Sequence, residues 1–303
     1  MSVAPGLKKS SVQSDSNPAY VHFKLTPSSG ALGASVSGLE LKALDDAEFV
    51  ELRRALDDYQ VLSFSDQELT TQEYLGFAKC FGEVVQFPFS PGIPDYPDVF
   101  EVLKEAHHTS NFGGGWHTDS PFLSQPPMYT MLHALETPVH GGDTLITNQY
   151  LAWEALSSGL QDALLNVGAS FSASLKSSGG RANRHRDYTH MALCDMDRAN
   201  IFEEVHPLVR KHPRTGKPSL YVSEAHMLSL DGFLSTESEL LLNYLYQHSS
   251  QSEFCTRVQW APGTLTIFDN ACTQHYALND YHGERRRMHR ITVDPQSPIS
   301  HSA

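Results

Sequence analysis

The chain has 303 residues, 40% of them hydrophobic and 19% charged, which is the balance of a folded globular protein with room for a substantial core and not of a disordered one. A net charge of −13 argues against nucleic acid or an anionic membrane surface as a partner. There is no run of about 18 apolar residues to span a membrane, and the N-terminus lacks the apolar segment of a secretory signal.

Residues 1–18 and 296–303, rich in Ser and Pro, are expected to be disordered tails around one domain over 19–295. "YVHFKLTPSSGALGASVSGLEL" predicts two short strands around a turn. In "LDDAEFVELRRALDDYQ", Phe49, Leu52 and Leu56 fall at helical spacing behind Asp45 and Asp46, which favour a helix N-terminus. "VLSF" reads as a buried strand. "TTQEYLGFAKCFGE" opens with Thr70 and Glu73 at capping-box spacing, carries Tyr74, Phe77, Ala78 and Phe81 on one stripe, and stops at Gly82.

From residue 128 onward, short β-type runs alternate with Pro, Gly and charged turns: "PMYTMLHALETP", "GDTLITN", "GKPSLYVSE", "RVQWAPGTLTIFDN" and "RMHRITVD". Two helical stretches interrupt them, "YLAWEALSSGLQDALLN" and "STESELLLNYLYQHS", the second with Thr236 and Glu239 at capping-box spacing. The pattern predicts a mainly β fold with peripheral helices (α+β), built on an antiparallel sandwich or jelly roll. Four cysteines (Cys80, Cys194, Cys255, Cys272) form no C-x-x-C pair, so reduced thiols and a cytoplasmic location are expected.

With 16 His in the chain, a His-x-Asp triplet is expected by chance, and there are two. "RHRDYTHMALC" at 184–194 resembles a kinase catalytic loop, but Ala192 stands where that motif needs Asn, and Arg181, Arg184 and Arg186 would repel a cation. A solvated basic loop is the better reading there, and the segment 173–200 is long enough to form a lid. In "GGGWHTDSPF", His117 and Asp119 would project to one side of an extended segment and could chelate one ion. A further His would complete the 2-His-1-carboxylate triad of non-haem Fe(II) oxygenases, which leaves positions open for a bidentate co-substrate and dioxygen. His275 follows the strand "TLTIF" in a polar bend, His282 lies in a polar turn, and His289 is out of phase with the neighbouring arginines. His275 is the choice.

Four pieces, "WHTDSPF", "HALETPVHGGDTLITN", "HPRTGKPSLYV" and "GTLTIFDNACTQHYALNDYHGERRRMHRITV", make the chain similar, over roughly residues 20–294, to the Fe(II)/2-oxoglutarate dioxygenases of the taurine/2,4-dichlorophenoxyacetate dioxygenase family. The resemblance implies a double-stranded β-helix core, with His117, Asp119 and His275 as iron ligands. It implies that Thr144 and Arg286 bind the distal carboxylate of 2-oxoglutarate, a role suited to a hydroxyl and a guanidinium fork. It further implies that Arg290 reaches an acidic group on the substrate and that Phe87 and His226 line its pocket. If 285–293 is a strand, Arg286, Met288 and Arg290 share one face and Arg285, Arg287 and His289 the other. Two inward arginines would be costly without anions to pair with, and the alternative is a surface stripe paired with Glu284 or Asp280.

The reaction implied is hydroxylation of a small, anionic organic molecule with release of succinate and CO₂, followed by C–S or C–O cleavage where the new hydroxyl lies beside a heteroatom. Homo-oligomers are common in the family, although no interface is specified by this sequence. The chain departs from taurine-type members. Phe87 and Ser90 stand where a His and an aromatic hydroxyl would hold a sulfonate, Gly113 replaces a polar amide, and Ala271 replaces the Arg of "DNRxxxH". These differences predict a more apolar substrate pocket. Two alternatives stay open: the same cofactors used for desaturation, cyclisation or amino-acid oxidation, and a cupin-like metal-binding jelly roll without oxygenase activity.

Overall fold

In the computed structural model, which describes residues 19–174, 191, 193–194 and 202–294, the first stretch forms the expected antiparallel hairpin, β1 (Lys24–Pro27) with β2 (Ala34–Ser37). The expected tails, the second His-x-Asp triplet and most of the 173–200 loop lie outside the described residues. Helix α1 (Asp46–Tyr59) starts on a reciprocal cap. The Glu48 amide donates to Asp45 Oδ1 at 2.8 Å, and the Asp45 amide donates to Glu48 Oε2 at 3.0 Å. After β3 (Val61–Phe64), Thr70 and Glu73 cap α2 (Thr71–Phe81) in the same way. Leu52 and Leu56 of α1 and Tyr74, Phe77, Ala78 and Phe81 of α2 are buried as their spacing predicts.

The chain continues through β4 (Glu83–Val84), β5 (Phe100–Lys104), β6 (Tyr129–Glu136) and β7 (Thr144–Asn148). The stretch expected to be one helix is two, α3 (Gln149–Glu154) and α4 (Ser158–Leu164), because the Ser157 hydroxyl accepts from the Leu160 amide and caps a new start. Strands β8 (Gly168–Ser172), β9 (Glu203–Pro207), β10 (Val209–Lys211), β11 (Pro218–Leu220) and β12 (Met227–Leu230) follow. Helix α5 (Ser235–Ser249) begins earlier than Thr236 suggested: Glu237 Oε2 accepts from the Leu234 amide at 2.9 Å, so Thr236 and Glu239 lie inside the helix. Strands β13 (Cys255–Val258), β14 (Leu265–Asp269), β15 (Thr273–Ala277) and β16 (Arg286–Asp294) complete the order.

The largest sheet runs β1-β2-β3-β14-β6-β16-β4, with β5 alongside the first half of β16; among the described strands only β2 and β3 pair in parallel. Its outer face packs on α1 and α2 through Leu52, Tyr74, Phe81, Tyr129, Met131, Ile267 and Ile291. Smaller sheets, β13-β7-β15, β12-β8-β9 and β10-β11, contribute Ile146, Phe171 and Leu220 to a second core that also holds Phe100, Leu132 and Met288 of the large sheet. The molecule is mainly β, and Arg286 and Arg290 of β16 share the face of Met288, the side of the large sheet turned toward this second core. Among the described residues no helix is long and apolar enough to cross a membrane.

On the outer face, His289 of β16 stands opposite His133 of β6 and beneath α2. Its Nε2 is buried, 3.9 Å from Glu101 Oε1. Burial first, then the charge of Arg287, holds its pKa down to about 4, against Glu101, which raises it. An unfolded histidine titrates near ~6.5, so the unfolded chain binds the additional proton first. Stability is therefore expected to fall as pH is lowered from about 6.5 toward 4. Thermal melts at several pH values should show this loss, and His289→Gln should make it shallower. An identical pH dependence in the variant would show that His289 does not carry the effect.

Candidate active site

The glycine-rich loop before Trp116 lays the backbone of His117 against β15. The His117 amide donates to the His275 carbonyl at 3.1 Å and the His275 amide to the His117 carbonyl at 2.8 Å, an isolated antiparallel bridge. Gly113 makes this approach possible: its φ is +80°, its carbonyl accepts from the Ala277 amide, and an added Cβ would sit 3.4 Å from the His117 ring. His275 thus belongs to strand β15, opposite Ile146 of β7, and not to a bend as the sequence suggested. The two imidazole centroids are 4.0 Å apart. Asp119, two residues beyond His117, completes a buried set whose ligand atoms all lie within 4.8 Å of one another.

The tautomers suit a cation. His117 Nδ1 lies 2.8 Å from the Gly115 carbonyl, so that nitrogen carries the proton and Nε2 keeps its lone pair. His275 is held far below the ordinary histidine range, by burial and then by His117, and is the neutral imidazole that ligates metals. Its Nδ1 is buried with no hydrogen-bond partner among the described residues. Burial would raise the Asp119 carboxyl, but Arg290, His275, His117 and the Thr130 hydroxyl together hold it well below the usual carboxylate range.

Two residues that the sequence did not single out hold Asp119 in place. Asn270, just after β14, accepts on Oδ1 from the Asp119 amide at 2.7 Å and the Thr118 hydroxyl at 2.8 Å. Its Nδ2 donates to the Asp119 carbonyl at 3.0 Å and the Pro127 carbonyl at 2.8 Å. Thr130 of β6 donates to Asp119 Oδ2 at 2.8 Å, while Arg290 Nη1 donates to Oδ1 at 2.9 Å. Asn270 is the Asn of the stretch compared with "DNRxxxH", which gave it no role; Thr130 gave no signal beyond a polar residue in an apolar strand.

Thr144 and Arg286 come together beside Trp260. The indole Nε1 donates to Thr144 Oγ1 at 3.1 Å, and the Arg286 guanidinium lies 5.8 Å from the Trp260 ring. Arg286 Nε is buried without a hydrogen-bond partner among the described residues, and burial lowers the pKa of the group despite Tyr281 and Asp143. A buried guanidinium with an unspent donor is a site for an anion. Gly142 (φ +70°) permits the packing: a Cβ there would meet Arg286 Cδ at 3.2 Å and Tyr281 Cδ1 at 3.3 Å.

Arg290 lies with its guanidinium 4.9 Å from the Phe87 ring and 5.1 Å from the Phe100 ring. Phe87 contacts Phe89 and Phe112, and Phe89 meets Phe122, so an aromatic wall runs from Arg290 to His226, whose ring is 5.2 Å from Phe122 and 6.5 Å from His117. Ala271 does not belong to this wall; it packs against the outer cluster, so its identity does not shape the pocket. The other face of β16 behaves as its phase predicts. Arg285 pairs with Glu105 and Glu136, and Arg287 with Glu101, whereas Arg286 and Arg290 are buried and form no surface stripe with Glu284 or Asp280.

A second buried group, His212, Asp269 and Cys272, is also compact. There His212 Nδ1 accepts from the Arg214 and Thr215 amides, and Nε2 meets Asp269 Oδ2 at 2.8 Å. Both ring nitrogens are used, so this His–Asp pair is a structural tie.

Because Asn270 grips both the amide and the carbonyl of Asp119, Asn270→Ala is expected to weaken Fe(II) or Mn(II) binding about 10- to 100-fold, the usual cost of losing an outer partner of a metal ligand. Calorimetric titration of the folded variant with Mn(II) would measure it, and unchanged affinity would mean that the clamp is dispensable for the site.

Residues 22–292 match the family described as "Taurine catabolism dioxygenase TauD, TfdA family". An alkylsulfatase of Acinetobacter baylyi is 33% identical over 279 residues, covering 91% of this chain and 86% of that protein. An alpha-ketoglutarate-dependent sulfate ester dioxygenase of Pseudomonas putida is 29% identical, covering 93% of each. Among solved structures, a putative alpha-ketoglutarate-dependent taurine dioxygenase from Burkholderia xenovorans superposes with a TM-score of 0.77 at 29% identity, over 92% of this chain and 95% of that one. AAD-2, solved with Mn(II) and N-oxalylglycine, gives 0.73 at 26% identity, over 92% and 99%. The chain belongs to the taurine catabolism dioxygenase TauD, TfdA family.

Proposed function

We propose that His117, Asp119 and His275 bind Fe(II), that Arg286 and Thr144 hold the distal carboxylate of 2-oxoglutarate, and that Arg290, Phe87 and His226 bind the substrate. The protein is a 2-oxoglutarate-dependent dioxygenase. The observation that carries the residue assignment is the pairing of a compact His-Asp-His set with a buried guanidinium whose Nε has no partner among the described residues. A hydrolase or a sugar-binding module has no need of such a clamp. In this reading the facing sheets form the double-stranded β-helix of one domain over 19–295, and the enzyme works in the cytoplasm.

Iron in such a site supplies dioxygen activation coupled to decarboxylation of 2-oxoglutarate, giving succinate, CO₂ and a hydroxylated substrate. The protein's own part is placement. Arg286 offers a fork to the keto acid's distal carboxylate and Thr144 a hydroxyl. Arg290 spends one N–H on Asp119, and its remaining donors suit an anionic head group. Phe87, Phe89, Phe112 and Phe122 receive an apolar body and exclude water. Hydroxylation of the carbon bearing the head group leaves a carbon with two heteroatoms; as the new hydroxyl loses its proton, this collapses to a carbonyl and expels the head group, as sulfate by C–O cleavage or sulfite by C–S cleavage. The aromatic wall favours an organic anion with an apolar body, such as a sulfate ester; alkyl sulfates are the first class to screen. Taurine, small and polar throughout, should yield no succinate above the uncoupled background, and robust coupled turnover of taurine would overturn this part of the reading.

Anaerobic titration of the metal-free protein with Fe(II) and then 2-oxoglutarate should give a weak visible band near ~500 nm, as expected of a keto acid chelating Fe(II) in an open triad. His117→Ala should lose the band and Arg286→Ala should weaken it. Bound iron without a band would favour the cupin-like alternative.

A further inference from the structure

Strand β5 runs antiparallel to the first half of β16, with Phe100 opposite Arg290, Val102 opposite Met288 and Lys104 opposite Arg286. Residues directly opposite in such a pair project from the same face. The contact of Phe100 with Arg290, at 5.1 Å, fixes that face as the inward one. Lys104 therefore stands on the same side as Arg286, at the end of the strand pair away from Arg290. It is only 2% exposed. Among the described residues its ammonium meets no carboxylate. Nζ donates to the Tyr281 carbonyl at 3.4 Å and lies 4.2 Å from the centre of the Tyr281 ring. The acidic residues beside it in sequence, Glu101 and Glu105, are spent on Arg287 and Arg285 on the opposite face. Tyr281 lies near Arg286, since a Cβ added at Gly142 would meet Arg286 Cδ at 3.2 Å and Tyr281 Cδ1 at 3.3 Å, as well as Pro138.

Two buried cations facing each other across one strand pair, neither with a carboxylate, are costly unless an anion is shared between them. We propose that Lys104 is a second cationic contact for the distal carboxylate of the co-substrate, raising affinity for a dicarboxylic keto acid over keto acids that lack that carboxylate. The inference rests on the reading that Arg286 holds the same carboxylate. Arg286 and Thr144 supply the directional hydrogen bonds, and Lys104 adds a point charge from the neighbouring strand.

The test compares Lys104→Met, Lys104→Arg and Arg286→Ala in the full chain. Each is titrated anaerobically with 2-oxoglutarate after Fe(II), and each metal-free protein is melted. Lys104→Met is expected to raise the 2-oxoglutarate Kd about tenfold, the value of one hydrogen bond to a charged group. Its metal-free Tm should stay level or rise, because an uncompensated buried charge has been removed. Lys104→Arg, which keeps the charge, should stay nearer wild type in Kd. If Lys104→Met binds 2-oxoglutarate normally while Arg286→Ala does not, the role of Lys104 is overturned and the reading of Arg286 stands. If Arg286→Ala also binds normally, the parent reading falls with it. A lower Tm for Lys104→Met, with Lys104→Arg equally weak in binding, would make Lys104 a packing residue for Tyr281 and overturn the proposal.

Discussion

The two-way backbone bridge between His117 and His275 is the constraint on which the rest of the site depends. It ties a glycine-rich loop to a strand from the far end of the chain, and it sets the two imidazoles side by side, 4.0 Å apart and tilted by 47°, before any side-chain interaction is counted. Asp119 then needs only its own placement. Asn270 supplies that by reading the amide and carbonyl of Asp119 with one carboxamide, while Thr130 and Arg290 take one carboxylate oxygen each. All four groups are buried, where a satisfied polar network is rigid and a broken one is expensive. Geometry of this kind is held by the fold and not assembled by a ligand.

Charge is distributed against the overall balance. The chain carries a net −13, yet the inward face of β5 and β16 presents Lys104, Arg286 and Arg290, all buried. Arg290 is paired with Asp119, but Lys104 and Arg286 meet no carboxylate among the described residues, and the acids flanking Lys104, Glu101 and Glu105, lie on the outward face, paired with Arg287 and Arg285. Strand alternation makes this sorting possible: one residue of shift separates a cation spent on a surface pair from one reserved for an anion. A global acidic charge therefore says little about the field that a small anionic substrate meets inside.

Much of this was legible in the sequence, for identifiable reasons. The caps at Asp45 and Thr70 are local hydrogen-bond arrangements, so spacing alone reveals them. The inward phase of Arg286 and Arg290 follows from period two. What could not be read depended on partners distant in sequence. His275 looked like a bend residue because its strand exists only through pairing with β7 and with His117. Asn270 stood in a motif without a role and Thr130 carried no signal, since what each does depends on what the fold sets beside it. Ser157 split one expected helix into two because a cap competes with apolar periodicity over so short a span. Ala271 was attributed to the pocket from its motif position, but in the turn between β14 and β15 it packs against the outer cluster.

Strand β16 also fixes a distance. Arg286 and Arg290 are four residues apart on one face, which at about 3.3 Å per residue is roughly 13 Å along the strand. Since β6 pairs with it on one side and β5 on the other, neither cation can move toward the other without breaking ladder hydrogen bonds. In the proposed reading, the distal carboxylate of the co-substrate and the anionic head of the substrate are thereby held at separate ends of a rigid rod, with Asp119 at the Arg290 end. A substrate can then vary in its apolar body, accommodated by the aromatic wall, while its head group stays registered against the metal. In that reading the anion spacing is fixed by the ladder, and the apolar surface beside it is the part of the site that sets which substrate body is accepted.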